Sequence, residues 1–266
     1  MKTKLFFSVV LTGVFISNIF AHEYWFEPDN FLPKVKEKTA IHLFVGDGLS
    51  KDREERVYQP DKTPMFQLFS ASKSLDLKTN SVADQSPIYN FSAEKSGNYL
   101  LAMERNWSYI TLEPQKFEDY LREDGIEYIS AERAKLGETG KPGRERYSRF
   151  LKSLLQVGGK NDNTFKKRLG LKLEIVPLEN PYAKKVGDNL GFQIFFDGKP
   201  LADRTVFASN KETEKQKFKT DKNGKISMKI EKNGLWLVHM VVMQRCKTEC
   251  GEADWESFWG AFSFGV

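Results

Sequence analysis

Cysteine and histidine are both scarce in this chain: two and three residues respectively out of 266. Cys246 and Cys250, spaced C-x3-C, are too few for a disulfide framework or a four-cysteine zinc site. In an oxidising compartment the pair suits one local disulfide; as metal ligands they need two further donors. The familiar enzyme signatures are missing too. There is no G-x-S-x-G elbow, no G-x-x-x-x-G-K-[ST] loop, no G-x-G-x-x-G after a strand and no H-E-x-x-H helix. No basic stripe accompanies the aromatics, which argues against nucleic acid as a partner. Beyond the first 21 residues no apolar run approaches the roughly 20 residues that a membrane helix needs.

The one long apolar run, Leu5 to Phe15, follows Lys2 and Lys4 and precedes Ile19-Phe20-Ala21, the three parts of a secretory signal. Residues 1–21 are therefore expected to be a signal peptide, with a periplasmic or secreted mature chain that carries no transmembrane anchor. No cysteine stands near the cut for lipid attachment. Removing the segment lowers the formal charge from +5 to +3, a mild excess spread over mixed Lys/Glu faces. The 245 residues that remain are enough for two compact units.

Patterning places β structure at both ends and helix between. Thr39 to Val45 alternates until Gly46-Asp47-Gly48 stops it, and further strands are expected over Pro64–Phe69, Pro87–Phe91, Asn98–Met103 and Ser108–Leu112. After Glu113-Pro114 the period becomes helical, with Phe117, Tyr120 and Leu121 at i, i+3 and i+4, and a second stretch runs from Ile126 to Leu136. Tyr147, Phe150, Leu151, Leu154 and Leu155, ended by Gly158-Gly159, predict a third helix, the clearest of the chain. Alternation resumes with Leu171, Leu173 and Ile175, then Leu190–Phe196, Thr205–Ala208, Ile226–Ile230, Leu235–Met243 and Phe258–Val266. The expected fold is mainly β, two immunoglobulin-like or transthyretin-like β-sandwich units over 22–112 and 165–266. A short helical segment, 113–160, lies between them or packs on the first.

A cut after Ala21 would give His22 a free amino group beside its imidazole, a chelating pair suited to copper, nickel or zinc. His239, in the apolar stretch Leu235 to Val241, is either a buried core histidine or the second imidazole of a site. His42 is the weakest ligand candidate, on a strand face away from Ile41 and Leu43. Glu23, Glu27, Asp47, Asp254 and Glu256 are the carboxylates that could complete a shell. Of these, Asp254 and Glu256 flank Trp255 and precede Trp259. Indole pairs of this kind most often lock a sandwich core.

Taken together, His22-Glu-Tyr-Trp-Phe-Glu-Pro28, Val45-Gly-Asp-Gly48, Arg144-Glu-Arg-Tyr-Ser-Arg-Phe-Leu-Lys152, Leu169 to Pro181, Asp197-Gly-Lys-Pro-Leu201, Thr220-Asp-Lys-Asn-Gly224, His239-Met240 and Ala253 to Trp259 carry a resemblance. The chain resembles a bacterial exported domain-of-unknown-function family often labelled NikM-like, the substrate-specific component of nickel or cobalt uptake. The resemblance implies a periplasmic protein that binds a divalent transition metal (nickel, cobalt, copper or zinc) or its chelate, not an enzyme, working beside a membrane transport component. It carries over His22, His239, Asp254 and Glu256 as candidate metal residues. The alternatives are a copper redox enzyme with a histidine-brace site, and an adhesive or structural sandwich without metal.

Overall fold

The computed structural model describes residues 22–49 and 51–266; the expected signal peptide, residues 1–21, lies outside them. The first half contains β1 (Glu23–Pro28), β2 (Thr39–Gly46), β3 (Glu54–Arg56), β4 (Met65–Phe69), β5 (Ser74–Asp76), β6 (Tyr89–Phe91) and β7 (Gly97–Leu112). Two helices follow, α1 (Pro114–Glu123) and α2 (Glu127–Lys135), and then β8 (Gly143–Val157). The second half contains β9 (Leu173–Pro177), β10 (Asn189–Phe196), β11 (Lys199–Pro200), β12 (Thr205–Asn210), β13 (Gln216–Lys219), β14 (Lys225–Lys229), β15 (Leu235–Arg245) and β16 (Trp255–Gly265). The fold is mainly β, as the alternating stretches predict. The two candidate strands 98–103 and 108–112 are one strand, β7, interrupted by a bulge between Arg105 and Ser108.

An eight-stranded sheet, ordered β13-β12-β15-β16-β8-β7-β4-β5, runs through the middle of the molecule. Its halves come from opposite ends of the chain and meet where β16 pairs in parallel with β8. The two sandwich units expected over 22–112 and 165–266 therefore share a sheet and do not stand apart. One face packs against the sheet of β9, β10, β11 and β14, burying Phe150, Leu154, Met240, Phe258 and Phe262 with Leu173, Phe192 and Met228. The opposite face is covered at one end by the sheet of β1, β2, β3 and β6 and at the other by the helices.

This double coverage corrects the third expected helix. Residues 143–157 form β8, buried on both faces, so Phe150 and Leu154 enter one core while Leu151 and Leu155 enter the other. Two adjacent pairs spaced by four mimic an i, i+1, i+4, i+5 helical stripe, an ambiguity that periodicity alone does not resolve. The other helices form where expected. Pro114 sits at the start of α1, and Phe117, Tyr120 and Leu121 pack with Ile129 of α2 against Trp255 and Trp259. The approach is close enough that a Cβ on Gly143 would lie 2.1 Å from the Phe117 ring, so β8 must begin with glycine. Cys246 and Cys250 are joined in a disulfide, with Cα atoms 5.8 Å apart, which withholds both sulfurs from metal.

Inside the joint the chain buries a full ion pair. Lys152 of β8 and Glu174 of β9 are each 1% exposed, with Nζ 3.0 Å from Oε1. Glu174 also accepts the backbone N–H groups of Leu169 and Gly170, so it ties the entry of β9 to the central sheet. Removing one partner of a buried pair strands the other charge and costs about 3–5 kcal/mol, whereas replacing both with apolar groups is often near neutral. Glu174→Gln should lower stability in urea unfolding by roughly that amount. Lys152→Met combined with Glu174→Gln should recover at least half of the loss.

Candidate functional site

On β15 the even residues Trp236, Val238, Met240 and Val242 enter one core, and the odd residues Leu237, Val241 and Met243 face the other way. His239 belongs to the odd set. It sits between Leu237, covered by the N-terminal sheet, and Val241, covered by the helices. Its ring stacks on Phe207 of the neighbouring strand with centroids 5.4 Å apart, and only 1% of the residue is exposed.

At the seam between these two covers, β1 enters. Glu23 Oε1 is 2.9 Å from His239 Nδ1, and Glu23 Oε2 accepts the Gly48 N–H at 3.1 Å. Burial alone would raise the Glu23 carboxyl. The charge and hydrogen bond of His239, with the Gly48 donor, outweigh it and bring Glu23 down to about 2. The ionised carboxylate only accepts, so Nδ1 carries the hydrogen, and Nε2 faces the Ser209 hydroxyl at 3.5 Å. This arrangement, a carboxylate fixing one imidazole nitrogen, is the one that orients histidines toward a metal through the other.

His22 is half-buried directly before Glu23, and its carbonyl accepts a hydrogen bond from Arg149 Nη2 at 3.2 Å. The Arg149 guanidinium lies 4.1 Å over the Tyr24 ring and 4.6 Å over Tyr147. Acids surround this corner. Asp124, at the end of α1, has a carboxyl pushed well above its usual range, first by burial and then by the charge of Glu23, with Asp47 adding and Lys215 opposing. Buried Glu145 is raised to about 7 by burial, against hydrogen bonds from Ser257 and Tyr120 and the charge of Arg149. Glu145 Oε2 and Arg149 Nε have no hydrogen-bond partner among the described residues.

Of the four metal candidates, His239 is held at this corner by Glu23, the residue that follows His22 in the chain. Asp254 and Glu256 are not. Asp254 is held by Arg144 through two hydrogen bonds of 2.7 and 2.8 Å, and Glu256 by Arg146 and Gln244. The cause is the register: Glu256 lies opposite Gln244 while His239 lies opposite Ala261, five positions along β16. Glu256 also shares its face with Phe258 and Phe262, the face away from His239. His42 is engaged at the surface by Glu55 and Asp29. Among the described residues no three His, Cys, Asp or Glu side chains stand ready to hold one ion. Asp124, Glu145, Arg149, Ser209 and Lys215 escape a reading by spacing. Asp124 ends a helix, and Glu145 and Arg149 belong to the strand that imitates one.

The fold and corner define a layered β protein whose first strand is pinned to its penultimate strand by a buried carboxylate–imidazole pair. A family model described as "Domain of unknown function (DUF4198)" matches residues 19–244, and the chain belongs to that family. No curated protein matches the sequence. Among solved structures, the three N-terminal domains of the bacteriophage RB49 Highly Immunogenic Outer Capsid protein (Hoc) are similar at 10% identity, over 91% of this chain and 59% of that one. The TM-score is 0.18, which carries no argument about fold or function.

The depressed Glu23 carboxyl has a definite pH signature. Its folded value of about 2 lies below the ordinary 4.5, so the stabilisation is complete above 4.5 and is lost as pH falls toward 2. Glu23→Gln should therefore be less stable than wild type at pH 6, with the gap narrowing at pH 3 in urea unfolding. A gap of constant size across that range would contradict the ionised pair.

Proposed function

We propose that this protein is a periplasmic binding protein for a divalent transition metal, nickel, cobalt, copper or zinc, or for its chelate. It would serve metal uptake or homeostasis beside a membrane transport component and would not itself be an enzyme. The observation that carries the reading is the Glu23–His239 pair immediately beside His22. Imidazole and carboxylate donors suit these metals, and the acids around the corner favour a cation. His22, through its imidazole and, once residues 1–21 are removed, its amino group, would hold the metal. His239 would contribute Nε2, with Glu23 fixing the ring. Asp47 and Asp124 stand within electrostatic reach of the same corner. A bound dication would lower the carboxyls of Asp124 and Glu145, so uptake of metal would expel protons.

Calorimetric titration of protein beginning at His22 with each of the four metals tests this. We expect binding that weakens at least about tenfold, ~1.4 kcal/mol, when one residue is added before His22 or when His239→Ala is introduced. Asp254→Asn and Glu256→Gln should leave affinity within about twofold, because Arg144 and Arg146 occupy those carboxylates at the start of β16 and just before it, away from His239. Heats measured in buffers of different ionisation enthalpy should report proton release near pH 7. Affinity unchanged by the N-terminal extension would remove the terminal-ligand reading. Oxygen consumption by the copper-loaded protein with a reductant, above that of free copper, would replace carriage with redox catalysis.

A further inference from the structure

Far from His239, at the β5 edge of the central sheet, a cavity of about 440 Å³ opens between three turns. The β4–β5 turn contributes Ser70, Ser72 and Lys73. The β6–β7 turn contributes Ser92, Lys95 and Ser96, the start of β7 contributes Asn98, and the segment after β8 contributes Lys160 and Asp162. Leu68, Leu75 and the rings of Tyr89 and Tyr99 supply the apolar part of the wall. The volume falls within the roughly 300–1,000 Å³ of pockets that take small molecules.

The charges on this wall are unbalanced. Its two acids are already engaged: Asp162 accepts the backbone N–H groups of Asn98 and Thr164, and Glu94 pairs with Lys36 at 3.4 Å. Lys73, Lys95 and Lys160 have no ion-pair partner among the described residues. Asn98, at the start of β7, also lines the cavity. It is fully buried, and its Oδ1 is fixed by Asp162 N–H at 2.9 Å and Asn180 Nδ2 at 3.1 Å, which settles the orientation of the amide.

Three ammonium groups, several hydroxyls and two tyrosine rings together recognise one kind of molecule: a small anion that carries hydroxyls and an apolar face. We infer that this cavity binds an acidic saccharide, whose carboxylate or phosphate meets the lysines and whose ring lies against tyrosine. The site is separate from the His22–His239 corner and does not depend on metal.

Titrations of the purified protein, followed by amide chemical shifts, test the inference with galacturonate and glucose 6-phosphate as probes. Galactose, glucose and inorganic phosphate are the controls. At least one acidic sugar should bind about tenfold or more tightly than its neutral counterpart and than phosphate alone, and the two probes separate a carboxylate from a phosphate as the anion. Shifts should be confined to residues 70–75, 89–99 and 160–162. The triple variant K73A/K95A/K160A should lose at least tenfold in affinity while keeping its thermal midpoint, because all three side chains are on the surface. The inference is overturned if neither acidic sugar binds, if phosphate or the neutral sugars bind equally well, if the shifts map elsewhere, or if the triple variant binds as wild type does.

Discussion

The parallel pairing of β8 with β16 is the constraint on which the rest of the architecture depends. Each strand is buried on both faces, so neither can be solvated on one side as the strands of an isolated antiparallel sandwich can. Three separate covers are therefore required: the β9–β10–β14 sheet on one side, and the N-terminal sheet and the helices on the other. The seam between the last two is where His239 lies. The polar pair survives there, buried, because Glu23 and His239 are partners to each other.

That seam also explains the chemistry of the corner. Glu23 and His239 stay together because each satisfies the other where water is scarce, and Gly48 takes the remaining carboxylate oxygen. Asp124 and Glu145 are less well served, and burial drives both toward their protonated forms. A layered core thus holds acids of different readiness to ionise within one neighbourhood, fixed by which strand or helix end each comes from.

Much of the β structure was legible because β2, β10 and β15 alternate or run apolar between turn residues, and α1 shows its buried face at i, i+3 and i+4. What was not legible follows from burial on two sides. Phe150-Leu151 and Leu154-Leu155 divide between opposite cores, and in one dimension that division looks like a helix. The same limit applies to the site. His22, Glu23 and His239 could be named from residue type, yet only the odd–even phase of β15 decides that His239 faces Glu23. Asp254 and Glu256 shared residue type and motif with a metal site, but the register with β8 gives them to Arg144 and Arg146.

The strand order carries a consequence for how the chain reaches this state. β16 is the last strand in the chain and occupies a central place in the largest sheet, beside β8 and more than a hundred residues away from it in sequence. Contacts of such long separation are slow to form, since the intervening loop must lose its entropy first. Until β16 arrives, the edge of β8 and apolar side chains on both of its faces stay open. No cut between the two halves would leave either with a completed sheet.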